Sequence, residues 1–102
     1  MKRVMVRYKV KPGRADENES YIRAVFEQLE ETAPAALQYA SFRLDDGVSF
    51  VHFACIEGEE NPLSQSSAFQ AFTSEIKDRC EEPPVAVTLN EIGSYNFLGE
   101  NS

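Results

Sequence analysis

The stretch that most limits what this chain can become is residues 39–56, YASFRLDDGVSFVHFACI, two β-branched and aromatic runs joined at Asp46-Gly47. That pair suits a tight two-residue hairpin turn, because both residues tolerate positive φ. With Asp46 and Gly47 as the loop, Asp45 faces Val48. Counting outward pairs Leu44 with Ser49, Arg43 with Phe50, Phe42 with Val51, Ser41 with His52 and Ala40 with Phe53. Alternate strand residues point to opposite sides, so parity divides the hairpin into two faces. One carries Ala40, Phe42, Leu44, Val51, Phe53 and Cys55 and is almost wholly apolar. The other carries Tyr39, Ser41, Arg43, Phe50, His52 and Ala54, mixing aromatic rings with hydrogen-bonding groups. A solvated face has no need of Phe50, and a plain core has none of Arg43 and His52. The second face is therefore expected to be covered and to line a cavity.

The flanks supply the remaining elements. Residues 3–11 alternate, with Val4, Val6, Tyr8 and Val10 on one side and Arg3, Met5, Arg7, Lys9 and Lys11 on the other, as in a strand with one buried face. Pro12-Gly13 ends it. Asp16 and Glu19 have the spacing of a capping box, and a helix is predicted from there to about Ala33. Tyr21, Ile22, Val25, Phe26 and Leu29 recur at helical spacing, Pro34 stops the run, and the charged residues opposite read as a solvated face. After the hairpin, residues 57–62 form a polar loop expected to be mobile. A second helix is predicted from Ser64 or Ser67 to Glu81, with Phe69, Phe72, Ile76 and Cys80 on one stripe, Ser67 and Gln70 as start signal and Pro83-Pro84 as stop. The last strand begins at Val85 and continues past a bend at Gly93 to Tyr95 and Phe97.

The order β-α-β-β-α-β is that of the ferredoxin-like α+β fold, and it accounts for residues 1–102 as one domain. Right-handed crossovers place the first and third strands side by side in the middle of an antiparallel sheet, with both helices on one face. Val4, Val6, Tyr8, Phe42, Leu44, Val51 and Phe53 are assigned to the helix side. Met5, Arg7, Tyr39, Arg43, Phe50 and His52 are assigned to the helix-free side, whose aromatics a single short chain would leave in water. A homodimer is the expected remedy.

Charge bounds the partners. At 102 residues the net charge is -7, which argues against nucleic acid or an anionic membrane. Lys2, Arg3, Arg7, Lys9, Lys11 and Arg14 crowd the start and all seventeen carboxylates follow, so a basic strand sits on an acidic body. No apolar run is long enough to span a bilayer and basic residues interrupt any signal core, so a cytoplasmic protein is expected. Cys55 and Cys80 have no metal-ligand spacing and are read as two buried thiols.

Taken together, residues 8–13 (YKVKPG) running from strand into helix, the aromatic hairpin, residues 67–72 (SAFQAF) and the terminal IGSY of residues 92–95 resemble the antibiotic biosynthesis monooxygenase family of dimeric α+β barrels. The likeness covers nearly the whole chain, on short motifs. It implies two ferredoxin-like subunits packed sheet to sheet. It also implies a cleft for an aromatic or quinone-like substrate, oxidised by dioxygen without a bound cofactor or metal. Family members that attack haem or polycyclic aromatics commonly carry a tryptophan ahead of the second helix and a histidine on it. This chain has no tryptophan, and Phe72 or Thr73 stands where that histidine is expected, so no catalytic residue carries over.

The residues themselves offer candidates. His52, the only histidine, suits proton transfer near neutrality as a catalytic base, with Arg7 and Arg43 stabilising the resulting substrate anion; equally, it is a hydrogen-bonded histidine at a dimer interface. Arg7 and Arg43 bind an anionic substrate or pair with a partner's carboxylates. Tyr39 and Phe50 complete the candidate binding residues, and Tyr95 also offers a hydrogen bond to an oxygenated ring, yet aromatics with a polar tip are ordinary interface residues too. Two functions fit, a cofactor-independent monooxygenase acting on a small aromatic molecule and a non-catalytic dimeric binding or structural module of the same fold.

Overall fold

The protein, described over residues 1–97 by a computed structural model, is built on a four-stranded antiparallel sheet of order β2-β3-β1-β4. The strands are β1 (Lys2–Val10), β2 (Leu37–Arg43), β3 (Ser49–Ile56) and β4 (Cys80–Thr88). Helix α1 (Ala15–Thr32) joins β1 to β2. A 3-10 turn (Pro62–Gln65), α2 (Ser67–Ser74) and the single turn α3 (Ile76–Arg79) join β3 to β4. This is the α+β, ferredoxin-like arrangement expected, with β1 and β3 central.

The hairpin pairing also stands as expected: Arg43 faces Phe50, Phe42 faces Val51, Ser41 faces His52 and Ala40 faces Phe53. Its turn differs. The Gly47 amide donates to the Leu44 carbonyl at 2.9 Å, so Asp45 and Asp46 are the central residues and Gly47 follows in the left-handed region at φ 81°. The Asp46 carboxylate accepts from the Val48 amide (3.0 Å), the Ser49 amide (2.8 Å) and the Ser49 hydroxyl (2.6 Å). Those hydrogen bonds, from Ser49 above all, hold its carboxyl down at about 2.

The assignment of the hairpin's two faces is overturned. Opposed residues of an antiparallel pair share a side, and β1 pairs with β3 so that Tyr8 opposes Phe50 and Val6 opposes His52. Since Tyr8 and Val10 are buried beneath the helices, Phe50, His52 and Tyr39 lie there with them. Phe50 is buried and its ring stacks on Tyr8 at 5.6 Å between centroids; Tyr39 stacks on Phe26 of α1 at 5.2 Å. Val51, Phe53 and Phe42 occupy the helix-free face instead, beside Met5, Val85 and Val87. Apolar count had picked the wrong side, because every buried polar side-chain atom among the described residues is hydrogen-bonded and such atoms tolerate burial.

The helices depart in detail. Helix α1 has no side-chain cap at Arg14; Glu19 pairs with Arg23 and Arg43 rather than closing a capping box. The second helix is shorter than expected. Ser66, not Ser67, caps α2 by accepting from the Phe69 amide at 3.0 Å, and the run breaks at Glu75. Pro83-Pro84 does not stop a helix but lies within β4. That strand is an edge, and its register against β1 shifts between Val85 and Glu82, where a residue without an amide proton costs no ladder bond. Over residues 89–97 no strand continues past Gly93, and Ile92, Tyr95 and Phe97 are exposed. Cys80 is buried and Cys55 half-buried, both free thiols.

Candidate functional site

Between the helix-covered side of the sheet and α2 lies a cavity of about 450 Å³. Val4, Val6, Ala54 and Ile56 form its floor, while Leu63, Phe69, Phe72 and Ile76 close it from the helical side. Val4 and Val6 of β1 and the predicted stripe of Phe69, Phe72 and Ile76 stand on the helix side as expected, whereas Ala54 comes from the hairpin face expected to be helix-free. Tyr8, Tyr39 and His52 bring the polar atoms, joined by Asn61 and Thr73; Lys2 is the only charged lining residue among the described residues.

The polar atoms of Tyr8, Tyr39 and His52 belong to one buried chain of hydrogen bonds. Arg79 Nε donates to Asn18 Oδ1 at 3.1 Å, and Asn18 Nδ2 donates to Tyr8 Oη at 2.8 Å. Tyr8 Oη meets His52 Nε2 at 2.8 Å. His52 Nδ1 meets Ser41 Oγ at 2.6 Å and Tyr39 Oη at 2.9 Å. The imidazole is also packed by rings, with centroids of Tyr8, Phe72 and Tyr39 at 5.4, 5.5 and 5.8 Å. Burial holds His52 down at about 4, so it is neutral at pH 7. Burial also raises both phenols, Tyr39 to about 12 and Tyr8 further, with the neighbouring Ser41 hydroxyl and the Asn18 amide respectively acting the other way.

Arg79 is the unexpected member. It is 1 % exposed, and no carboxylate among the described residues pairs with it. Its guanidinium donates to the Phe72 carbonyl (2.6 Å) as well as to Asn18, and lies 4.5 Å from the Tyr21 ring centroid. A carbonyl, an amide and aromatic faces thus stand in for the missing counter-ion.

Of the five residues predicted for the site, the structure brings two to the cavity, His52 and Tyr39. Phe50 does not line the cavity; it is buried, with its ring stacked on Tyr8. Arg43 lies at the protein surface, where its guanidinium bonds Asp16 (3.1 Å) and Glu19 (2.9 Å) and its Nε bonds the Gly47 carbonyl. Arg7 is exposed, one residue from Tyr8 and so on the helix-free face. The expected convergence of Arg7, Arg43 and His52 therefore fails, and with it the expectation of an arginine-held anion.

Sequence reading missed Asn18, Arg79 and the role of Tyr8. Asn18 lies inside the Asp16 to Glu19 capping-box spacing, yet it sits four residues before Ile22 and seven before Val25, a polar residue inside an apolar helical stripe. Arg79 shows the same sign, seven residues after Phe72 and three after Ile76. Among the described residues no group of histidine, cysteine and carboxylate side chains could hold a metal ion, and no helix is long and apolar enough to cross a membrane.

No protein-family model and no curated protein sequence matches the chain. Solved structures do. A Nitrosomonas europaea protein named as a candidate antibiotic biosynthesis monooxygenase superposes with TM-score 0.74 at 16 % identity, over 91 % of this chain and all of that one. A Pseudomonas aeruginosa protein gives 0.73 at 16 %, over 90 % and 94 %, and a Bacteroides thetaiotaomicron candidate antibiotic biosynthesis monooxygenase gives 0.70 at 14 %, over 89 % of each. At such identities the agreement is one of fold. The chain thus has, over nearly its whole length, the fold of structures named as antibiotic biosynthesis monooxygenases.

Proposed function

We propose that the protein is a cytoplasmic, homodimeric, cofactor-independent monooxygenase acting on a small aromatic or quinone-like substrate. The observation that carries this reading is the apolar cavity of about 450 Å³ with a hydroxyl–imidazole array on its wall. Its volume suits a ring system of modest size, and its walls exclude water from an electron-rich ring awaiting dioxygen. With Lys2 the only charge in the lining among the described residues, the preferred ligand is largely apolar. His52 and Tyr39 are the residues proposed to act. Both imidazole nitrogens are engaged, so His52 serves as a neutral relay holding the Tyr39 hydroxyl rather than as an exposed base.

The homodimer rests on the helix-free face, where Phe42, Val85 and Val87 are 40 %, 60 % and 42 % exposed beside Met5, Val51 and Phe53. An apolar face of this kind calls for a cover. Light scattering after size exclusion at micromolar concentration is expected to give twice the chain mass, and a stable monomer would sink the dimer.

Activity is tested by oxygen uptake in metal-chelated buffer with a panel of hydroquinones and polyphenols. Uptake proportional to protein, reduced at least about tenfold in Tyr39→Phe or His52→Ala, supports the enzyme. Binding without uptake across the panel would replace it with the binding module of the same fold.

A further inference from the structure

The buried chain has a direction, and that direction decides what the cavity selects. An arginine side chain only donates. Arg79 Nε therefore fixes which way the Asn18 amide lies, with Oδ1 toward Arg79 and Nδ2 toward Tyr8. Tyr8 Oη accepts from Asn18, and its single proton goes to its other partner, His52 Nε2. Nε2 is then the acceptor of the ring, and the neutral imidazole carries its proton on Nδ1. That proton faces Ser41 Oγ at 2.6 Å and Tyr39 Oη at 2.9 Å, so toward the ring both hydroxyl oxygens accept. Tyr39 lines the cavity, and His52 Nδ1 is its one hydrogen-bond partner among the described residues; facing an N–H there, Oη accepts, so its own proton is left for a ligand.

We infer that Arg79 and Asn18 are positioning residues that orient this chain outward, so that the cavity offers a donor, the Tyr39 hydroxyl, and selects ligands bearing an acceptor oxygen. A ketone or quinone carbonyl and a phenolate qualify; a ring that only donates does not. This deepens the proposed function and rests on its cavity, because it names the substrate's recognised group. It also gives the buried cation a purpose: negative charge growing on the ligand oxygen is answered by donors already aligned from Arg79, with no reorganisation at the moment of reaction. Arg79 and Asn18, 1 % and 0 % exposed, do so without touching the ligand.

The single histidine makes the direction measurable. Nitrogen-15 NMR of the imidazole at pH 7 is expected to show the Nδ1–H tautomer in the ligand-free protein. In Asn18→Asp the new carboxylate accepts from both Arg79 and Tyr8, so Tyr8 turns to donate toward residue 18, the ring proton moves to Nε2 and Tyr39 turns its proton inward. Calorimetry with 1-tetralone, tetralin and indole reads the consequence. Wild type should bind 1-tetralone roughly 3- to 10-fold more tightly than tetralin, the factor one neutral hydrogen bond supplies, with indole no better than tetralin. Tyr39→Phe should erase that preference, and Asn18→Asp should transfer it to indole. An Nε2–H tautomer in wild type, or affinities blind to the carbonyl, would overturn the inference. If Asn18→Asp does not fold, the wild-type spectrum and Tyr39→Phe still decide. Oxygen uptake without carbonyl preference removes this inference and leaves the enzyme standing. Carbonyl preference without uptake does the reverse.

Discussion

The helix-covered face of the sheet buries Tyr8, Phe50 and His52 and holds a continuous polar chain, whereas the bare face exposes Phe42, Val85 and Val87 around Val51 and Phe53. By apolar content alone the two would be exchanged. What separates them is whether the chain can satisfy a face by itself. Hydroxyls, an amide and an imidazole can be buried together when each finds a partner, and α1 and α3 supply Asn18 and Arg79 as those partners. Valine and phenylalanine ask only for cover, which a second copy can provide.

The strongest way to break this comparison is to truncate one phenylalanine on each face. Phe50→Ala removes a fully buried ring stacked on Tyr8 and should cost about 3 to 5 kcal/mol in denaturant melts. Phe53→Ala should cost clearly less in dilute solution, where its face is uncovered, and should appear mainly as a weakening of the proposed dimer. Equal costs would mean that the two faces are equivalent after all.

The next effect sharpens what polar burial entails. His52 is held at about 4 against 6.5 in an unfolded chain, because burial penalises the charged ring. Between those values the unfolded state binds a proton that the folded state does not, so stability falls as pH falls through that window. From pH 7 to 4.5 the loss should be about 2 to 3 kcal/mol. The hydrogen-bonded carboxylates Asp46, Glu17 and Glu19, whose values are lowered from 3.8 and 4.5, lose their contributions mostly below that range. Comparing urea midpoints of wild type and His52→Asn at both pH values isolates the histidine; a wild type as flat as the variant would refute burial of a neutral ring.

The sheet was legible because alternation and strand order are local signals. Residues 39–56 gave the correct partners across the hairpin, and the β-α-β-β-α-β order gave the correct neighbours. Which side of the hairpin met the helices was not local. It depends on the pairing of β1 with β3, where one position of offset exchanges every side chain, and apolar counting cannot supply that offset. Arg79 and Asn18 were hidden for a related reason: a polar residue in an apolar stripe looks like noise until its partner, 61 positions away in sequence, is known.

The smallest effect is expected at Arg43, a residue that sequence parity placed beside His52. Parity was right about the side, since Arg43 pairs with Phe50, but reach decides what a long side chain touches. Its guanidinium lies 5.9 Å from the Phe50 centroid and is held by Asp16 and Glu19 of α1, in a groove separate from the cavity that His52 lines. Exposed ion pairs of this kind are screened by water and salt and contribute little. Arg43→Ala should therefore leave the affinity for 1-tetralone, and its advantage over tetralin, unchanged within error, while Tyr39→Phe removes the advantage. If Arg43→Ala weakened binding as much as Tyr39→Phe, with the loss relieved by salt, the ligand would be sitting in the α1 groove, and the division between an inner polar chain and an outer charged rim would have to be redrawn.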